Sequence, residues 1–216
     1  MSIWSLKHPW KTTRVQAMIR ELLFSIDNYI RSGGIVMFPL LSISLVMWVL
    51  IFNRMLFLRR LNITNISRDK AGEYVKNNQL PPDKYKGVSS ALVREFLLIR
   101  SRDPELDRFI LDETVVRLIS SLDSYLGFIK VLAGVAPILG LLGTVTGMME
   151  TFEVITLFGT GNAKAMAGGI SIALITTQTG LMVSIPGLYM SGFLTKRANN
   201  LKYRVAATGI YLQQFL

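Results

Sequence analysis

"GLLGTVTGMMETF", Gly140 to Phe152, closes a long apolar run and carries the first question this chain raises. It sets Thr144 and Thr146 among three glycines, Gly140, Gly143 and Gly147, and holds a carboxylate, Glu150, near its end. A helix that only has to sit in lipid has no reason to give up that much apolar surface or to keep hydroxyls near its middle. The small residues recur at steps of three and four. Pro137, Gly140, Thr144, Gly147 and Thr151 therefore share one helical stripe, which Ala133, Ala136 and Gly143 widen.

The stripe lies in one of three windows that lack any charge: 32–53, 131–149 and 165–195. A membrane span needs roughly 20 mostly apolar residues, so each window predicts a transmembrane helix. Half of the 216 residues are hydrophobic, and they sit in these blocks instead of being spread through a soluble core. The formal charge of +10 raises nucleic acid as a partner. Lys and Arg gather beside the spans, however, as membrane flanks do, and no arginine-rich tract with interleaved aromatics is present. The sequence has no cysteine and a single histidine, His8, outside every span. Thiol, histidine-metal and triad chemistry thus lack their raw material, and neither an enzyme nor a cofactor or metal site is expected. Lys7, Lys11, Arg14 and Arg20 interrupt any signal-peptide core.

The expected class is an all-α integral membrane protein whose three transmembrane helices are joined to long helices in the cytoplasm. Residues 1–31 form an amphipathic arm, with Val15, Met18, Ile19, Leu22, Ile26, Tyr29 and Ile30 on one face and Trp4 and Trp10 nearby. It either lies on the bilayer or packs on the rest of the protein. Ser32, Gly33 and Gly34 break it. Span one (32–53) is bulky and able to face lipid on most sides. Residues 54–130 are mixed and charged, with a loop at "NNQLPPDKYKG" (Asn77–Gly87) between two short helices. "RDPELDRF" starts a further helix, with Asp103 as cap, Pro104 in the first turn and Glu105 on the dipole. Nothing obvious interrupts the chain from there to Pro137, which predicts one rod of roughly 75–80 Å running into span two (131–156). A short turn (157–165), span three (166–195) and a C-terminal helix (196–216) complete the chain. Arg54, Arg59, Arg60, Arg68 and Lys70 crowd one flank of span one, and Lys196, Arg197, Lys202 and Arg204 follow span three. The positive-inside rule then puts the N-terminus and the short turn outside, and the large loop and the C-terminus inside, on the cytoplasmic face. The basic N-terminal arm counts mildly against this.

Span three repeats the stripe with Ala173, Thr177, Gly180, Ser184, Gly187 and Ser191, and "ITTQTG" adds Thr176, Gln178 and Thr179 around it. Two readings compete. Small residues let membrane helices approach closely, and hydroxyls bond back to their own backbone. Alternatively both stripes line a shared polar passage, where a hydroxyl donates and accepts without a charge of its own. Glu150 and Glu153 are either solvated ends of span two or an acidic outer mouth. No carboxylate lies inside a charge-free window, so a titrating group for ion passage must come from another protein.

At "VAPILGLLGTVTGMMETF" (Val135–Phe152) and "GGISIALITTQTGLMVSIPGLYM" (Gly168–Met190) the chain resembles the MotA/TolQ/ExbB proton-channel family. The likeness extends more loosely to "GGIVMFPLL" and "FNRMLFLRR" around span one. The resemblance implies a ring of subunits, pentameric in the family, in membrane lipid around two single-span helices of an ExbD/TolR-like partner whose aspartate carries protons. By motif the pore threonines are Thr144 and Thr177, among the lining residues Gly140, Gly147, Gly180 and Ser184, and the helix-bending prolines are Pro137 and Pro186. Two departures stand out. Several members carry a glutamate where this chain has Ile172, and the best-known members carry a tryptophan at Thr146. The expected role is an ExbB-like subunit that uses the proton motive force to energise a TonB-like protein. The length and short C-terminus fit that branch. A Tol-type or gliding motor is the alternative within the family, sodium is the alternative ion, and a non-conducting scaffold is the alternative outside it.

Overall fold

The structure, a computed structural model, describes residues 9–63, 66–82 and 84–216. Trp4, Lys7 and His8 lie outside the described residues, as do the side chains of Trp10, Lys11, Arg14, Val15 and Leu22. Every regular element among the described residues is helical: α1 (Pro9–Ser32), α2 (Met37–Ile63), α3 (Arg68–Lys76), α4 (Val88–Ile99), α5 (Pro104–Asp123), α6 (Leu126–Phe158) and α7 (Ala163–Leu212). Three of these stretches are long and apolar enough to cross a membrane; they hold α2, α6 and α7.

Helix ends follow local chemistry in most places. The Ser32–Gly34 break is present, with Gly34 at φ 66°, a left-handed value that glycine adopts without penalty. Asp103 caps α5 by accepting from Glu105 N–H at 3.1 Å, with Pro104 in the first turn. Asn162 Oδ1 accepts Ala165 N–H at 3.2 Å and starts α7 after a short 3-10 turn, Gly159–Gly161.

The rod from Pro104 into span two is a correction. The helix stops at Asp123, Ser124 is extended, and Tyr125 takes φ 63° before α6 begins. No proline or glycine marks this stop. A distant residue does: Arg54 Nη2 donates to Ser121 O at 2.7 Å, satisfying one of the last carbonyls of α5, where a cation is also favoured by the helix dipole. The long uninterrupted helix lies elsewhere. α7 continues through 50 residues, so the predicted C-terminal helix is an extension of span three.

The described chain divides into two compact units. One holds the residues through Ile43 with Val135–Val183, and the other holds Ser44–Gly134 with Ser184–Leu216. In the second unit, α7 buries Ser184, Gly187, Ser191, Leu194, Ala198, Leu201, Val205, Thr208 and Leu212, an unbroken alternation of steps of three and four. Phe96, Leu92, Val75, Leu111 and Leu122 are also fully buried there. Span one has one narrow buried line, Leu40, Met47, Ile51, Arg54 and Leu58, while Phe38, Leu45, Val49 and Phe52 are exposed.

Candidate functional site

The first unit holds the small-residue stretch of α6 and α7, and there the two helices touch backbone to backbone. A Cβ added at Gly180 would lie 2.8 Å from Ala136 O and 3.1 Å from Gly140 Cα. One at Gly140 would lie 3.0 Å from Thr176 O. Two turns along, a Cβ at Gly147 would lie 2.5 Å from Gly169 O and 2.7 Å from Ala173 N. Real Cβ atoms do not come as close as at Gly180 and Gly147, the space at Gly140 is tight, and backbone cannot swing aside, so these glycines set the antiparallel register. Such approach is how helices associate in lipid, where apolar surface gains nothing by leaving its surroundings.

The hydroxyls divide into two groups. Thr151, Thr176 and Thr179 are buried. Each donates to a carbonyl of its own helix: Thr151 to Gly147 O at 3.0 Å, Thr176 to Ile172 O at 2.8 Å, Thr179 to Ile175 O at 2.7 Å. Thr144 and Thr177 are half-buried at the edge of the contact. Thr144 donates to Leu141 O at 2.7 Å and Thr177 to Ala173 O at 3.0 Å. Thr177 Oγ1 also stands 3.5 Å from Gly140 O, the carbonyl to which the α-helical repeat directs Thr144 N–H. Gly140 O is thus approached by the hydroxyl of Thr177 and the backbone N–H of Thr144, one carbonyl away from the Thr144 hydroxyl on Leu141 O. With its proton spent on the backbone, each hydroxyl still offers oxygen lone pairs, and so suits an incoming O–H donor such as water or a protonated carboxyl group.

The sequence-predicted residues are distributed unevenly. Gly140, Thr144, Gly147, Thr177 and Gly180 are together in the first unit. Ser184 is buried in the second, where Pro186 also lies. Pro137 and Pro186 both sit inside continuous helices, each depriving the turn before it of one backbone bond. Glu150 and Glu153 are exposed. Glu150 borders an open cavity of about 300 Å³ with Arg31, Ser32 and Ile172. Ile172 reaches towards Gly34, where an added Cβ would be 3.3 Å from its Cγ2.

Sequence reasoning underrated three residues. Thr176, not Thr177, fills the space over Gly143. Gly169 extends the contact by a turn, and the spacing Gly169, Ala173, Thr176, Gly180 carries that signal. Tyr29 shares a 2.9 Å hydrogen bond with Thr179, bringing the last turn of α1 onto span three. The exposed Met18, Ile19 and Ile26 leave the rest of the arm's apolar face uncovered. No spacing rule announces a contact between residues so far apart in the chain.

Residues 84–207 match the MotA/TolQ/ExbB proton channel family. The chain is 31% identical over 197 residues to an ExbB-like biopolymer transport protein of a Synechocystis species, covering 87% of this chain and 77% of that protein. It is 34% identical over 105 residues to the biopolymer transport protein ExbB of Aquifex aeolicus, covering 49% of this chain and 68% of that one. Against the Tol-Pal system protein TolQ of Haemophilus influenzae it is 27% identical over 206 residues, covering 84% and 88%. The glycine contact and both edge threonines fall inside the matched region. This chain therefore belongs to the MotA/TolQ/ExbB proton channel family, whose members are multipass inner-membrane energiser subunits.

Proposed function

We propose that this chain is the ExbB-like subunit of a motor driven by the proton motive force. With an ExbD/TolR-like single-span partner, it energises a TonB-like protein for transport across the outer membrane. The observation that carries the reading is the pair Thr144 and Thr177, half-buried at the edge of the contact between α6 and α7 within windows that hold no charged residue. Hydroxyls so placed accept a proton donor but cannot themselves carry charge across a membrane. The moving proton then belongs to a carboxyl group on the partner, neutral while it passes the apolar stretch. One charge moved down about 100 mV releases about 2.3 kcal/mol, so several transfers supply a mechanical step. Five copies enclose a partner dimer in this reading, with the N-terminus periplasmic and the C-terminus cytoplasmic.

The test is the native mass of the detergent-solubilised protein, alone and co-expressed with a single-span partner bearing an intramembrane aspartate. A ring of five that takes up two partner chains supports the motor. A monomer or dimer indifferent to the partner overturns it. Thr144→Val and Thr177→Val keep the shape and remove the acceptor oxygen. Assembly with loss of energised transport is expected, whereas full activity would return the threonines to helix packing and leave a scaffold. A Tol-type envelope role is the second reading, favoured by the alignment with TolQ along nearly the whole of both chains.

A further inference from the structure

Arg54 follows directly on the charge-free window 32–53. An arginine there ordinarily extends its head to water or to lipid headgroups. This one is only 6% exposed. Its guanidinium lies 4.7 Å over the Phe57 ring, and Nη2 donates to Ser121 O at 2.7 Å. Nε is buried with no hydrogen-bond partner, and among the described residues no carboxylate pairs with Arg54. Asp123, the acid at the end of α5, is paired with Lys202 instead. The charge of Asp123 reaches Arg54 only through space. A buried cation that keeps a donor unused and has no anion in contact is costly, and the cost falls when an anion completes the site.

Arg54 lines a cavity of about 440 Å³ with Leu50, Asn53, Phe57, Ser121, Ser124 and Tyr125. Amide and hydroxyl groups surround the guanidinium, and apolar groups continue from it. Along α2, Val46 and Leu50 share a stripe with Asn53 and Phe57, so an apolar track, exposed at Val46, continues from the cavity. Its depth is marked on a second element too. Lys130 is the last charge before the window 131–149, and Tyr125 and Phe128 are exposed aromatics beside it, as at a membrane–water interface.

We propose that this cavity binds the headgroup of an anionic phospholipid, with Arg54 holding the phosphodiester and the acyl chains lying along Val46 and Leu50. The guanidinium fork meets two oxygens of a phosphodiester at once, which a halide cannot offer. The apolar continuation favours a lipid over free phosphate.

The experiment uses the full chain, delipidated in detergent and titrated with mixed micelles of phosphatidylglycerol or of phosphatidylcholine. Bound lipid is read by native mass spectrometry, and stabilisation by the thermal unfolding midpoint. Phosphatidylglycerol is expected to be retained at least tenfold more tightly than phosphatidylcholine and to raise the midpoint. Arg54→Gln should remove that preference. Because Arg54 also ends α5, this variant can lose its fold, so Ser124→Phe provides the second test. It fills the cavity and leaves the guanidinium and its bond to Ser121 in place, and it too should remove the preference. Equal retention of the two lipids overturns the site, as does a preference that survives Ser124→Phe. A midpoint rise that inorganic phosphate alone reproduces in full overturns the lipid assignment in favour of a free anion.

Discussion

The contact between α6 and α7 and the cluster formed by α3, α4 and α5 are both well packed, but opposite chemistry holds them. In the first, backbones meet through Gly140, Gly147, Gly169 and Gly180, and the buried hydroxyls are satisfied within their own helices. In the second, large side chains such as Phe96 and Leu92 are fully buried, and one carboxylate organises the polar groups. Asp107 is 1% exposed and accepts from Arg100 Nε at 2.8 Å, Ser101 N–H at 2.9 Å and Arg102 N–H at 3.2 Å. Arg102 sits at φ 70°, and Arg100 also donates to Val75 O at 2.9 Å, tying α3 to the α4–α5 turn. Burial drives apolar side chains together where the alternative is water. Where the alternative is lipid, only closeness of approach is left to gain. Hence the glycines in one region and the phenylalanine with its charge network in the other.

That contrast can be broken first at the glycines. Gly147→Val puts side-chain carbons where Gly169 O and Ala173 N already stand, and should cost more than about 3 kcal/mol; folded yield after detergent extraction would collapse, whereas near-normal yield would refute rigid backbone contact. Asp107→Asn should cost about 2 kcal/mol, read as a lower thermal midpoint, because hydrogen bonds to a charged acceptor become neutral ones. The pH profile sharpens this. Burial pushes the Asp107 carboxyl up, but the hydrogen bond and charge of Arg100 and the N–H groups of Ser101 and Arg102 together hold it below its ordinary range. The unfolded chain then binds the proton more tightly than the folded one. The stabilisation is complete above about pH 4 and drains as pH falls through the lowered folded value. Asp107→Asn should lose that acid-side slope and keep whatever other carboxylates contribute.

Next in size is Asn162→Ala, which removes the cap of α7 and should cost about 1 kcal/mol, measurable as faster hydrogen exchange at Ala165 and its neighbours. The smallest stability effect belongs to Thr144→Val and Thr177→Val, each within about 0.5 kcal/mol, since each hydroxyl bonds to a carbonyl of its own helix at a half-exposed edge and the contact of Thr177 with Gly140 O on α6 is long, at 3.5 Å. A large loss of stability at either would make it a packing residue and remove its claim to the ion path.

Much of the fold is legible in local pattern. Charge-free windows mark the three spans, Ser32–Gly34 ends the arm, and Asp103 and Pro104 start α5, because hydropathy and capping act within a few residues. The glycine contact was legible too, since steps of three and four place Gly140 and Gly147 on one face of span two, and Gly180 with Ala173 and Ser184 on one face of span three, before any partner is known. Pattern could not rank the threonines. Thr176 and Thr177 are adjacent in sequence, and only the crossing with α6 buries one against Gly143 and leaves the other at the rim. Nor could it end α5. The stop at Tyr125 is supported by Arg54, 67 residues away from the carbonyl it caps. Short-range chemistry writes itself into neighbouring letters, whereas which side of a helix is closed, and which charge is drawn inward at Arg54, depends on groups that meet only when the chain has folded.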